Sequence, residues 1–108
     1  MHVAITKTIL EYDHLPVVFL AEGAGKTFVG IAVSYGGDDE YLLAQIDPER
    51  VPHLLHGEID LREVFKAPID AVWYRLVTND YTKDVYEITL LNEVDEAMFP
   101  SENCFLKI

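Results

Sequence analysis

Residues 23–27 (GAGKT) end like a phosphate-binding loop, in which backbone N–H groups cradle phosphates and a lysine contacts them. That motif requires a further glycine five residues before Gly25, where this chain has Leu20. It also requires a helix directly after the threonine, whereas residues 27–34 (TFVGIAVS) have the composition of a strand. A hairpin turn explains the glycines, which supply the positive φ angles of a tight connection. We therefore predict a turn here and no bound nucleotide or other cofactor.

Two histidines, His53 and His56, are spaced so that both imidazoles can lie on one face of a helix. Glu49, Glu58 and Asp60 are close enough in the sequence to add oxygen ligands. The chain has neither an HExxH motif nor a set of cysteines that would complete a common zinc site. We therefore interpret these histidines as surface or half-buried residues and predict no metal.

Carboxylates cluster at Asp38, Asp39 and Glu40, in a glycine-containing loop, and again at Asp95 and Glu96. The first cluster lacks the ligand spacing of a calcium-binding loop, and no pair of carboxylates stands out as a catalytic acid and base. Such a cluster is typical of a loop kept soluble by charge. It is also a candidate contact for a basic protein partner.

Aromatic residues concentrate on a second predicted hairpin, which contains Trp73, Tyr74, Tyr81 and Tyr86. Alternation places Trp73 and Tyr74 on opposite faces of their strand, so one of the two rings is a candidate for exposure. An exposed aromatic ring among acidic residues is typical of an interface anchor, whereas the alternative is that these rings fill the core. The predicted partner-binding residues are Asp38, Asp39, Glu40, Trp73 and Tyr81.

The composition is that of one ordinary globular domain, residues 1–108, with 50% apolar and 25% charged residues. The chain carries 19 acidic and 8 basic side chains, for a formal net charge of −11. This balance argues against direct contact with nucleic acid or an anionic membrane, both of which need a basic surface. We interpret the single cysteine, Cys104, as a small buried apolar residue. A chain with one cysteine, no signal peptide and no membrane-spanning run is predicted to be cytoplasmic.

Stretches rich in β-branched and aromatic residues predict the strands, and caps with short apolar faces predict the helices. The predicted strands are 3–10, 16–22, 27–34, 41–46, 71–78 and 85–91, and the predicted helices are 47–56, 60–66 and 92–99. Pro52 complicates the first helix, because so far inside a helix its ring clashes with an earlier carbonyl. Residues 101–108 have no regular pattern and offer Phe105, Leu106 and Ile108 for docking. We predict an α+β fold, with a small, twisted, mainly antiparallel sheet of about five strands and two or three short helices.

The second helix has the strongest local signals. Asp60 is placed to cap it, and Glu63 three residues later completes the pattern of a capping box. Leu61, Val64 and Phe65 share one face and are predicted to point into the core.

In the predicted hairpin of residues 16–34, the strand face that contains Gly30 narrows to small residues. This predicts that another element, most simply a helix, packs closely there.

A resemblance supports this fold class. Residues 11–13 (EYD), 41–43 (YLL) and 57–65 (GEIDLREVF) resemble an uncharacterised bacterial domain of unknown function, with the likeness covering residues 11–68. The resemblance implies a bacterial or phage origin and a compact α+β domain. It implies no activity and no catalytic residue.

Three classes of function stay open. The first is a non-enzymatic protein that binds another macromolecule, most simply a protein. The alternative is an acidic inhibitor, such as an immunity protein or a mimic of nucleic-acid charge, that blocks a basic nuclease or effector. These two differ in whether the partner is strongly basic. The third class, a small enzyme or metal-binding domain, requires a pocket that gathers several titratable groups. The oligomeric state cannot be predicted from these residues.

Overall fold

A computed structural model describes residues 1–106 of the chain. The seven strands are β1 (His2–Tyr12), β2 (Leu15–Gly23), β3 (Lys26–Ser34), β4 (Asp39–Ile46), β5 (Trp73–Thr78), β6 (Tyr86–Glu87) and β7 (Thr89–Leu91). The two α-helices are α1 (Val51–Leu55) and α2 (Leu61–Lys66). Three short 3-10 turns cover Pro48–Arg50, Ile69–Ala71 and Glu96–Met98.

The strands form one antiparallel sheet in the order β6-β1-β2-β3-β4-β5-β7. The two edge strands, β6 and β7, are separated only by Ile88, so they are two halves of one extended segment. One half pairs with β1, through Tyr86 and Val3, and the other half pairs with β5. Because the same segment reaches both edges, the sheet curls into a nearly closed barrel.

The predicted α+β class is therefore wrong. Strand accounts for 45% of the structure and helix for 19%, and the sheet has seven strands rather than about five. The predicted strand 85–91 splits at Ile88 because its two halves pair with different neighbours. The predicted helix 92–99 is a 3-10 turn of three residues that starts at the cap Asp95. The helical residues are too few to form a layer of their own, and α2 alone combines a capped start with a buried face of three residues.

Two hydrophobic cores lie on opposite faces of the sheet. One fills the barrel interior with Val3, Phe19, Ala21, Phe28, Tyr41, Leu43, Tyr74, Leu76, Tyr86 and Ile88. The other lies outside the barrel, where β2, β3 and β4 pack against α1, α2 and Leu106. Burial on both faces explains why these three strands are almost continuously apolar rather than alternating.

The close approach predicted at Gly30 exists, but the neighbour is an aromatic ring and not a helix. Phe19 pairs with Gly30 across β2 and β3, and its ring covers the space that a Cβ at Gly30 would occupy. The ring also contacts Tyr41 edge to face, with centroids 5.2 Å apart. The missing side chain therefore makes room for a large one in the barrel interior.

The link between β4 and β5 begins at Asp47, whose carboxylate accepts a hydrogen bond from the Glu49 N–H at 2.9 Å. The 3-10 turn then gives way to α1, which places Pro52 in the first turn of a new helix, where no carbonyl is in its way. The chain leaves this helix at Gly57, which has a φ of 75°. The conflict that Pro52 raised is thus resolved by splitting the predicted helix in two.

The cap and the buried face predicted for α2 are confirmed, whereas the capping box is not completed by Glu63. The Asp60 carboxylate accepts a hydrogen bond from the Arg62 N–H at 2.8 Å, and Leu61, Val64 and Phe65 are buried. The carboxylate of Glu63 lies 3.8 Å from the guanidinium of Arg50, rather than turning back to the cap.

The C-terminal residues are held against α2. The second carboxylate oxygen of Asp60 accepts a hydrogen bond from the Asn103 N–H at 2.7 Å, and the Leu61 N–H donates to the Cys104 carbonyl at 2.8 Å. Leu106 is buried and Phe105 is exposed, while Ile108 lies outside the described residues.

Within residues 1–106, no helix has the length and apolar character needed to cross a membrane.

Gly30→Ala should lower the free energy of unfolding by about 1–3 kcal/mol, because the added methyl group forces the Phe19 ring out of a packed interior. Chemical denaturation measures the change. In a Phe19→Leu background the same substitution should cost clearly less, since the clashing ring is gone. Equal costs in the two backgrounds would show that the Phe19 ring does not set the requirement for glycine.

Asp60→Ala should cost about 2 kcal/mol, at the top of the range for a helix cap, because one carboxylate serves both α2 and the C-terminal segment. Asp95→Ala is the matched control, since Asp95 accepts one hydrogen bond, from Ala97, and caps only a 3-10 turn. Its cost should be at most about 1 kcal/mol. Equal losses in the two variants would contradict a role for Asp60 in holding the C-terminal segment.

Candidate functional site

Three connections meet at one end of the barrel. Because successive strands run in opposite directions, every second connection lies at the same end, and these are β1–β2, β3–β4 and β5–β6. We call this surface the loop end and define it as residues 12–16, 35–40 and 79–85. It contains four of the five predicted partner-binding residues, Asp38, Asp39, Glu40 and Tyr81.

Tyrosine hydroxyls join the three connections. The Tyr35 and Tyr41 hydroxyls donate to the carbonyl oxygen of Pro16, at 2.8 and 2.9 Å. The hydroxyl of Tyr41 also lies 2.8 Å from that of Tyr81. We call Tyr35, Tyr41, Tyr81 and Asp39 the tyrosine network. Its contacts reach from the β1–β2 connection to the β3–β4 and β5–β6 connections, so the three cannot move independently.

The network ends at a buried carboxylate. The Tyr81 hydroxyl donates to Asp39 at 2.5 Å, and Asp39 is only 7% exposed. A buried carboxylate is tolerated when it is hydrogen-bonded, so the Tyr81 contact allows Asp39 to lie beneath the surface. Asp39 is thus an internal anchor of the loop end and not part of its outer charge.

The phenols of the network stay protonated well above neutral pH. Burial raises the pKa of Tyr41 to about 12, and burial also raises the pKa of Tyr35. Burial and the hydrogen bond to Asp39 raise the pKa of Tyr81 as well. The hydroxyls therefore remain hydrogen-bond donors, and the arrangement is suited to holding loops in place rather than to supplying a phenolate.

The other carboxylates of the predicted cluster also have partners within the chain. Asp38 accepts a hydrogen bond from the side-chain amide of Asn79 at 3.0 Å. Glu40 is paired with Arg75 on the neighbouring strand, at 3.1 Å. Asp38 remains exposed, so one of the three acidic residues presents its charge at the outer surface.

The β5–β6 connection is shaped by its own polar residues. The Asp80 carboxylate accepts hydrogen bonds from the N–H and the hydroxyl of Thr82, at 2.9 and 2.6 Å. These hydrogen bonds lower the pKa of Asp80. The buried Thr78 hydroxyl donates to the Asp80 carbonyl and accepts from its N–H. The connection is therefore an ordered turn that presents Tyr81 to the network.

The outer surface of the loop end is acidic and partly aromatic. Asp13, Asp38 and Asp84 are exposed there, with Lys83 as a basic neighbour. The ring of Tyr12 is 74% exposed. The combination of exposed carboxylates with an exposed aromatic ring is suited to contact with Lys and Arg side chains.

Trp73 lies at the other end of β5. Its indole N–H donates to the carbonyl oxygen of Phe65 at 2.8 Å, and its ring stacks on Phe99 with centroids 6.0 Å apart. Trp73 therefore fastens the barrel to α2 and does not join the other four predicted residues.

Sequence reasoning missed the central roles of Tyr35 and Tyr41. The signal available was their position on either side of the Gly36-Gly37 loop, where a long polar-tipped ring can reach a neighbouring connection. Both hydroxyls meet the carbonyl of Pro16, and this contact depends on how β2, β3 and β4 pair, which is not visible in the local sequence pattern.

The motif that resembles a phosphate-binding loop, residues 23–27, and the pair of histidines, His53 and His56, have structural explanations. The hairpin predicted over residues 16–34 is confirmed, with Ala24 and Gly25 at positive φ in its turn. His53 lies 2.9 Å from Glu58 on the surface. Across residues 1–106, no three side chains of metal-ligating type come together.

Comparison of the chain with protein-family models, with curated proteins and with solved structures gave no significant match. The resemblance over residues 11–68 therefore stays a prediction.

The free energy of unfolding should fall as the pH rises from 10 towards 12. The unfolded chain loses the Tyr41 proton near the ordinary value of about 10, whereas the folded chain keeps it until about 12, so alkali favours unfolding in this interval. Tyr41→Phe should make the pH dependence shallower, with Tyr35 and Tyr81 still contributing to it, and Tyr12→Phe, outside the network, should leave the dependence unchanged. Urea denaturation at several pH values measures this. Parallel curves for all three proteins would contradict the burial of the Tyr41 hydroxyl in the network.

Proposed function

We propose that the protein is a non-enzymatic binding protein whose loop end docks onto a basic segment of a protein partner in the cytoplasm. The observation that carries this proposal is the tyrosine network, in which Tyr81, Tyr41 and the buried Asp39 lock together the connections that present exposed carboxylates. The proposal depends on an ordered surface on which exposed carboxylates outnumber basic side chains.

Preorganisation is the first support. Binding normally requires that mobile loops become ordered, which reduces affinity. Here Pro16 is tied to Tyr35 and Tyr41, and Asp38 is tied to Asn79, so each connection already has a partner in another one. A docking partner would therefore bind loops that are already ordered, so that little conformational entropy is lost on binding.

Charge is the second support. The chain has a formal net charge of −11, and Asp13, Asp38 and Asp84 project at the loop end. A surface of this sign attracts basic partners over the Debye length, about 8 Å at physiological ionic strength. The exposed ring of Tyr12 adds an apolar face on which a Lys or Arg side chain can stack.

The acidic inhibitor is the special case in which the partner is a strongly basic nuclease or effector. The net charge of −11 favours this second candidate, because it exceeds what solubility alone requires of a small domain. An enzyme has less support, since two of the clustered carboxylates, Asp39 and Glu40, are engaged by Tyr81 and Arg75.

A selection of displayed random peptides on the purified protein tests the proposal. We expect enriched peptides to be rich in Lys and Arg. Substituting Asp13, Asp38 and Asp84 together by Asn should weaken the binding of a selected peptide about tenfold, mainly through slower association. Added salt should slow association with the natural protein more than with this variant, which has less charge to screen.

The matched control replaces Glu49, Glu93 and Glu102 together by Gln. These residues are exposed and lie outside the loop end, so the variant has the same net charge but an intact docking surface. Its affinity should be close to that of the natural protein. Equal weakening in the two triple variants would show that only the net charge of the protein matters and that the loop end is not the docking surface. Enrichment of peptides without basic residues would also overturn the proposal.

A further inference from the structure

Strand pairing in the barrel is incomplete beside the loop end. β1 has eleven residues, but β6 pairs only with His2 and Val3 at its start. Among the described strands, β2 is therefore the single neighbour of β1 along residues 4–12. The opposite edge of this stretch faces the β5–β6 connection, residues 79–85, instead of a strand.

A cleft of about 300 Å³ lies along this edge. Ile5 and Thr8 of β1 form one side of the cleft, and Tyr86 of β6, which pairs with Val3, lies at one end. Tyr81 and Pro16 connect the cleft to the tyrosine network. We call this cleft the seam. Its far wall is held by the network, so it stays open without a strand to fill it.

We propose that the seam binds the basic segment of the partner as an extended strand added to the free edge of β1. This inference rests on the proposed function and deepens it by naming how the segment is held. An unpaired edge offers a row of backbone N–H and C=O groups, which an extended peptide can pair with regardless of its sequence.

The occupant is a peptide segment rather than a second copy of this chain. The register of β1 against β2 shifts at three places, around Thr6, around Ile9 and between Leu10 and Glu11, so the edge is irregular along its length. Two rigid edges that are irregular in this way would not stay in register, whereas an extended segment can follow the irregularities. Two copies would also bring together formal charges of −11 each.

The charges around the seam define the side-chain pattern of the occupant. His14 and Lys83 line the cleft together with Asp84, so its interior is not suited to a basic side chain. Asp13 and Asp38 lie outside it at the loop end. Because side chains of a strand alternate, the segment should place small uncharged residues in the cleft and Lys or Arg residues towards the loop end.

Backbone methylation of a selected basic peptide tests this mode of binding without altering the protein. N-methylation at alternate positions, where the N–H faces β1, should weaken binding about tenfold or more at each site, and methylation at the positions between should matter little. Hydrogen exchange of the β1 amides along residues 5–10 should slow when the unmodified peptide is bound.

A variant of the protein provides a second readout. Thr8→Tyr places a ring in the seam and should weaken peptide binding about tenfold, while Thr89→Tyr, a matched change at an exposed threonine of β7, should not. Both positions are exposed strand residues, where tyrosine is well accommodated, and chemical denaturation checks that both variants are folded.

The outcomes separate the inference from the proposed function. If the substitutions of Asp13, Asp38 and Asp84 weaken binding but every N-methyl analogue binds equally, the loop end is a docking surface and strand addition is overturned. If no basic peptide is selected at all, both are overturned. Slow exchange in β1 that depends on protein concentration without peptide would identify a second copy as the occupant and also overturn the inference.

Discussion

The hydrogen bond between Tyr81 and the buried Asp39 stands where the barrel lacks strand pairing. β6 reaches β1 only at His2 and Val3, so backbone hydrogen bonds do not hold the connection 79–85 against its neighbours. Side chains replace them, because Tyr81 extends from this connection to Asp39 and Tyr41. A carboxylate buried at this position is costly without a donor and stabilising with one, so the connection and the network depend on each other.

The packing inside the barrel allows this network to form. Gly30 leaves space for the Phe19 ring, and that ring supports Tyr41 from the side. Tyr41 then directs its hydroxyl towards Pro16 and Tyr81 at the loop end. A residue without a side chain in the middle of β3 thus influences the position of polar groups at the end of the barrel, through contacts between rings that cannot shift freely in a dense interior.

Local signals in the sequence predicted two elements correctly, whereas the predicted helix 92–99 is only a 3-10 turn. The hairpin of β2 and β3 follows from glycines between two apolar stretches, and α2 follows from the cap Asp60 with its apolar face. Barrel closure could not be predicted, because it depends on pairs such as Val3 with Tyr86, far apart in the chain and without a pattern that links them. For the same reason Tyr81 was predicted as an outer contact, although its hydroxyl points inward.

Some acidic residues stabilise the fold through hydrogen bonds, and others present their charge at the surface. The net charge alone does not distinguish these two roles. Asp39, Asp60 and Asp80 each accept hydrogen bonds that hold segments of the chain together, which is a short-range effect of geometry. Asp13, Asp38 and Asp84 extend outward, where their charge acts over a Debye length. The charge available to a partner is therefore smaller than the formal −11 and is set by which carboxylates the fold leaves at its surface. The proposed docking surface follows from this division, because Asp39 and Asp80 order the loops on which Asp38 and Asp84 stand.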